Sequence, residues 1–123
     1  VEDDPDIRLV TKLLLETHYD ARVIESADGT DALKLAEEEN PSLILMDLVL
    51  PNNSGLDISR KIHVNDATSH IPIILVSDHC WDVKIQERAR EVGLINWIDK
   101  SHLVDQLDNR VAPFLGKSLT GKI

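Results

Sequence analysis

Apolar positions follow two alternating patterns along this chain. Unbroken apolar runs occur at Leu43-Ile44-Leu45-Met46 and Ile73-Ile74-Leu75-Val76, each bounded by polar or turn-forming residues. Such runs read as strands buried on both faces. Arg22–Ser26 and Leu94–Ile98 read as two further strands. Between them apolar residues recur at helical spacing. Ile7, Val10, Leu13 and Leu14, widened by Leu9 and Leu15, predict a first helix running to about Thr17, with Asp4 as N-cap and Pro5 in its first turn. A second helix is predicted from about Thr30 to Glu39, with Ala32, Leu33, Leu35 and Ala36 inward. Asn40-Pro41 stops it, because the residue before proline disfavours the α region. Leu56, Ile58 and Ile62 mark a third helix. The fourth spans about Asp82 to Val92, with Ile85, Ala89 and Val92 inward and Gly93 as its cap. The fifth buries Leu103, Val104, Leu107 and Val111 and is closed by Pro113.

Strand and helix thus alternate, with connections long enough for crossover helices, which is the signature of an α/β domain with a parallel sheet. Right-handed crossovers bring every carboxyl strand end to one edge of the sheet, where ligands bind in open α/β folds. Asp47, Ser77 and Lys100 each fall at such an end. Glu2 and Asp3 join them if a strand precedes residue 1. Pro51, Asn52, Asn53 and Gly55 follow Asp47 as turn formers.

The 123 residues make one domain, expected over 1–115, with 116–123 a tail or the start of a linker. Aromatics are only 3%, so aliphatic side chains must fill the core. The formal charge of −9 argues against direct contact with nucleic acid or an anionic membrane. Cys80 is the single cysteine, so no internal disulfide can form, and a reducing compartment fits. No signal peptide or membrane-length apolar run is visible, so the expected location is cytoplasmic. Crowded carboxylates raise one another's pKa unless a cation is present, and a hard divalent ion such as Mg2+ suits them. With an ion in place, Asp47 could attack a phosphoryl group as a nucleophile.

These residues together resemble the receiver domain of the bacterial two-component response-regulator family. The resemblance rests on Glu2-Asp3 before a proline-started helix, Asp47 with Pro51 and Gly55 four and eight positions later, Ser77 after Ile73–Val76, and Lys100 after Trp97-Ile98-Asp99. It implies a flavodoxin-like doubly wound parallel sheet, a (βα)5 three-layer sandwich of strand order 2-1-3-4-5, whose central first strand is largely missing from the numbered chain. Upstream residues, or a strand donated by another chain, are expected there.

By resemblance Asp47 is the phosphoacceptor. Asp3 is a metal ligand, with Glu2 reaching the Mg2+ directly or through water, and Asp47 and the Val49 backbone carbonyl complete the set. Lys100 pairs with Asp47 or a phosphoryl oxygen. Ser77 and Trp97 are the switch residues. The implied partners are a histidine kinase or phosphotransfer protein and an output domain or protein. The output is met through the fourth helix, fifth strand and fifth helix. The chain would catalyse only its own phosphorylation and dephosphorylation. The alternative is a degenerate receiver acting as a phosphorylation-independent interaction module, favoured by Asp78 and Ser101. A small Mg2+-dependent phosphohydrolase is the third possibility.

Five positions depart from the family pattern or carry its variation. Asp78 follows Ser77 where a small residue is usual, and its charge opposes an incoming phosphate. Ser101 stands where proline is usual, which puts the customary cis peptide in doubt. Trp97 is bulkier than the usual tyrosine or phenylalanine and is restricted in swinging inward. Val49 and His79 flank the path of the hydrolytic water and, with Asp78, are expected to set the lifetime of the phosphorylated form.

Overall fold

Three parallel strands carry the fold in the computed structural model, which describes residues 1–51, 53–78, 82–94 and 96–115. In chain order the strands are β1 (Ile44–Asp47), β2 (Val49–Leu50), β3 (Asn53–Ser54), β4 (Ile73–Ser77) and β5 (Trp97–Asp99). β1, β4 and β5 form the sheet in that order, with Asp47 in register with Val76 and Ser77 with Asp99. β2 and β3 make a small antiparallel pair just after Asp47. The expected tail, 116–123, and the residues Asn52, His79, Cys80, Trp81 and Ile95 lie outside the described residues.

Every residue of β4 is buried, as its unbroken apolar run requires. Its side chains alternate between two cores. Ile73 and Leu75 pack with Met46, Ile58, Ile62 and Ala89 on one face, and Ile74 and Val76 with Leu15, Ile98, Leu107 and Val111 on the other. The helices are α1 (Pro5–His18), α2 (Ala32–Glu39), α3 (Gly55–Val64), α4 (Val83–Glu91) and α5 (Leu103–Leu115). α1 and α5 supply the second core, and α2, α3 and α4 the first. This is the doubly wound, three-layer arrangement expected, with α3 burying Leu56, Ile58 and Ile62 as read. No helix among the described residues is long and apolar enough to cross a membrane.

Helix starts follow side-chain caps. The Asp4 carboxylate accepts from the Asp6 and Ile7 amides, and Asp82 from those of Lys84 and Ile85. Asp28 accepts both the amide and the hydroxyl of Thr30, at 3.0 and 2.8 Å. That turn keeps Thr30 out of α2, which begins at Ala32 rather than Thr30. Asn40 ends α2 in the left-handed region, φ 45°.

Four expectations need correction. On α1 the inward face is Ile7, Thr11, Leu14 and Leu15, while Leu9, Val10 and Leu13 are exposed. Periodicity identified a stripe, but packing against α5 set its angle. Val104 is likewise exposed, whereas Leu103, Leu107 and Val111 are buried. Pro113 lies inside α5, which continues to Leu115. Its ring removes the bond that an amide there would give the Asn109 carbonyl, a loss confined to the last turn, and Phe114 and Leu115 pack onto the core beyond it. Arg22–Ser26 forms no strand. Its sheet neighbour in the expected order is the first strand, and among the described residues Val1 and Glu2 lie along that line.

Those two residues sit as a strand would. The Val1 nitrogen donates to the Leu45 carbonyl at 2.7 Å, and the Val1 carbonyl accepts from the Asp47 amide at 3.0 Å. The Glu2 amide donates to the Ser26 carbonyl at 3.0 Å, tying the opposite wall. A cavity of about 180 Å3 continues beside them, lined by Leu15, Val23, Leu43, Leu45, Val76 and Leu115 among others.

Candidate functional site

Asp47 is carried to the sheet edge by the apolar run before it and is almost completely buried, at 3% exposure. Its Oδ1 accepts from the Val49 amide at 3.2 Å and its Oδ2 from the Lys100 ammonium at 2.8 Å. Lys100 opens a single 3-10 turn (Lys100–His102) directly after β5. The Asp99 carboxylate caps that turn, accepting from the Ser101 amide at 2.9 Å and hydroxyl at 2.7 Å. Ser101 therefore has a constructive part in presenting Lys100, and no cis peptide occurs among the described residues.

Lys100 also reaches Glu2, 3.1 Å away. The Glu2 carboxylate is buried and accepts from the Asp4 amide at 3.2 Å. Glu2, Asp3 and Asp47 each offer an oxygen within 4.8 Å of the others. Burial, and then the Asp47 charge, hold the Glu2 carboxyl above the ordinary carboxylate range. Desolvation pulls the Lys100 pKa down, but hydrogen bonds to Asp47 and Glu2 outweigh it and leave the ammonium harder to deprotonate than usual. Three hard oxygen donors with one lysine between them fit a hard divalent cation, which would take over part of the neutralisation Lys100 provides.

Gly55 explains the eight-residue spacing from Asp47. A Cβ there would lie 1.9 Å from the Asp47 carbonyl oxygen, so only glycine lets α3 start against the end of β1. The Gly55 amide donates to the Leu48 carbonyl at 2.8 Å. The turn signal was legible; the close backbone approach was not.

The structure thus brings Glu2, Asp3, Asp47 and Lys100 together. Ser77 is buried at the end of β4, beside Asp99 in the ladder, and Asp78 beyond it is exposed. Val49 turns an exposed side chain outward while its amide holds Asp47. Trp97 is half-buried on β5, with the Arg90 guanidinium 5.9 Å from its ring centre. His79 falls outside the described residues. Sequence reading missed Arg8, whose Nη1 donates to the Glu2 carbonyl at 2.9 Å and whose Nε lies 3.5 Å from Glu25. No spacing rule signals a guanidinium that folds back onto the main chain.

Comparison with known proteins agrees with this geometry. The family model for the response regulator receiver domain matches residues 1–112. The polar-differentiation response regulator DivK of Brucella anthropi is 33% identical over 117 residues, covering 94% of this chain and 93% of that protein. Histidine kinase P4 of Formosa agariphila is 39% identical over 115 residues, 94% of this chain but 8% of that protein's length. Among solved structures, the receiver domain of the sensor histidine kinase PA1611 from Pseudomonas aeruginosa superimposes with a TM-score of 0.81 at 26% identity, covering 95% and 94% of the two chains. In that structure a magnesium ion is coordinated in the active-site cleft. Sequence match, fold and the acidic edge agree: this chain belongs to the response regulator receiver-domain family of two-component signalling.

Proposed function

We propose that this chain is a phosphorylatable switch in which Asp47 takes a phosphoryl group from a phosphohistidine on a kinase or phosphotransfer protein, or from a small phosphodonor. What carries the proposal is the buried Asp47 carboxylate, 2.8 Å from Lys100 within a cluster of acidic groups. An Asp47 oxygen forms the new bond to phosphorus as the bond from phosphorus to the donor nitrogen breaks. The departing imidazole takes up a proton. Glu2, Asp3, Asp47 and the Val49 carbonyl would hold Mg2+, which supplies positive charge to the phosphoryl oxygens. Lys100 adds a second positive group that is already in place, so little reorganisation accompanies transfer.

The acyl phosphate adds roughly −1.5 to −2 charges where one carboxylate stood. Lys100 then follows the new oxygens, and the Ser77 hydroxyl donates to one of them. That shift biases the segment after β4 and so alters the face made by α4, β5 and α5. Val83 on α4 and Val104 on α5 are exposed apolar residues there, which suits a face that meets an output partner. Trp97, held against Arg90, is the aromatic that would change place. Val49, Asp78 and His79 would govern water access to the phosphate and hence its lifetime. Val49→Asn is the variant that probes the first of them.

Acetyl phosphate and Mg2+ test the proposal. The protein gains the mass of one phosphoryl group, does not gain it when a chelator is present from the start, and Asp47→Asn gains none. No gain in the native protein, or an equal gain in Asp47→Asn, overturns it.

A further inference from the structure

We propose that Arg8 is a positioning residue for the cation-binding side of this site: anchored by Glu25, it clamps the peptide that joins Glu2 to Asp3. The inference rests on the proposal above that Glu2, Asp3 and Asp47 hold the ion.

The three carboxylates are fixed in different ways. Asp47 is held by Lys100 and the Val49 amide, and Glu2 by Lys100 and the Asp4 amide. Asp3 is exposed, and its carboxylate has no hydrogen-bond partner among the described residues. Its aim therefore comes from its backbone, and the peptide on its amino side is the one Arg8 grips through the Glu2 carbonyl, at 2.9 Å. The preceding peptide is fixed as well, by the bond from the Glu2 amide to Ser26. Successive peptide planes held at one amide and one carbonyl leave little freedom for the Cα atoms of Glu2 and Asp3. Arg8 is itself steadied by Glu25, which Lys12 also approaches at 3.5 Å.

Charge and position predict opposite outcomes here. A guanidinium has the same sign as the ion, so its removal by charge alone would tighten cation binding. Loss of the clamp leaves Asp3 to sample orientations that do not face the ion, which weakens binding. Groups that orient metal ligands typically contribute about tenfold or more to affinity.

Calorimetric titration of the 123-residue chain with Mg2+, in about 0.5 M KCl so that long-range charge effects are screened, decides between them. Arg8→Met is expected to weaken Mg2+ about tenfold. Arg8→Lys, which keeps one donor without the fork, recovers part of the loss. Glu25→Gln, which frees the guanidinium from its anchor at an exposed position, weakens binding about threefold, a smaller share of the same effect. Circular dichroism reports the fold of each variant, and if Arg8→Met does not fold, Glu25→Gln decides. Unchanged or tighter binding in Arg8→Met, or unchanged binding in Glu25→Gln when that variant decides, overturns the clamp while the native protein's own Mg2+ binding leaves the site intact. A native protein that takes up no Mg2+ overturns both.

Discussion

Replacing Lys100 by methionine tests the electrostatics of the site in the absence of any ligand. The ammonium lies 2.8 Å from Asp47 and 3.1 Å from Glu2. At an effective dielectric of about 20 these contacts are worth about 6 and about 5 kcal/mol before desolvation, and the two carboxylates, with oxygens within 4.8 Å of each other, repel by about 3 kcal/mol or more. Most of the attraction is offset by taking three charges out of water. What remains is the cost of leaving buried carboxylates without their partner, about 3–5 kcal/mol for a fully buried pair. The Lys100 side chain keeps 14% exposure, so the lower end applies, about 3 kcal/mol. Urea unfolding followed by circular dichroism at neutral pH measures that loss. Mg2+ at about a hundred times its dissociation constant returns about 2.7 kcal/mol. The pH dependence has a definite sign. Glu2 already titrates above the ordinary carboxylate range, and without Lys100 it goes higher. A carboxyl raised in the folded state takes up its proton there first as pH falls, so the folded form gains stability through that window. The deficit of the variant against the native protein therefore narrows on acidification. A loss below about 1 kcal/mol at neutral pH, or a deficit that does not narrow, refutes the reasoning.

Gly55→Ala forces a Cβ to within 1.9 Å of the Asp47 carbonyl oxygen, with backbone on both sides of the clash. The expected loss is about 3 kcal/mol by urea unfolding, and a loss near zero would mean that α3 does not begin where it is placed here. Tyr19 is the single tyrosine, so tyrosinate absorbance reports one group. Burial, and then its hydrogen bond to Asp108, push its pKa up to about 12. Since the unfolded group titrates near 10, the protein should lose stability as pH rises from about 10 to about 12. Asp108→Asn should lower the folded midpoint. A native midpoint near 10 would show that Tyr19 does not pin α1 to α5.

The site was legible where chemistry followed from chain order. Asp47 and Lys100 are 53 residues apart, yet each follows an apolar run, and parallel strands joined by right-handed crossovers leave their carboxyl ends on one edge. Local chemistry was equally readable: the Asp4 and Asp82 caps, the stop at Asn40-Pro41 and the inward face of α3 depend on neighbours a turn away.

Other features depend on packing, or on particular bonds that no periodicity signals. Periodicity finds an apolar stripe on α1 but not its angle, so the exposure of Leu9, Val10 and Leu13 awaited the packing against α5. Arg22–Ser26 has strand-like residues, yet a strand exists only by pairing, and among the described residues its backbone meets the sheet edge through the Glu2 amide on Ser26. Ser101 occupies a position where proline is usual, and its bonds to the Asp99 carboxylate are what the structure adds. Gly55 is a turn former by its type, but the Asp47 carbonyl beneath it is what requires glycine. The alternation of elements and the residues at the strand ends were readable because covalent order and local spacing suffice for both. Packing set which helix faces are covered, where backbones touch and how Glu25 steadies Arg8, because those follow from distances between segments that no local pattern encodes.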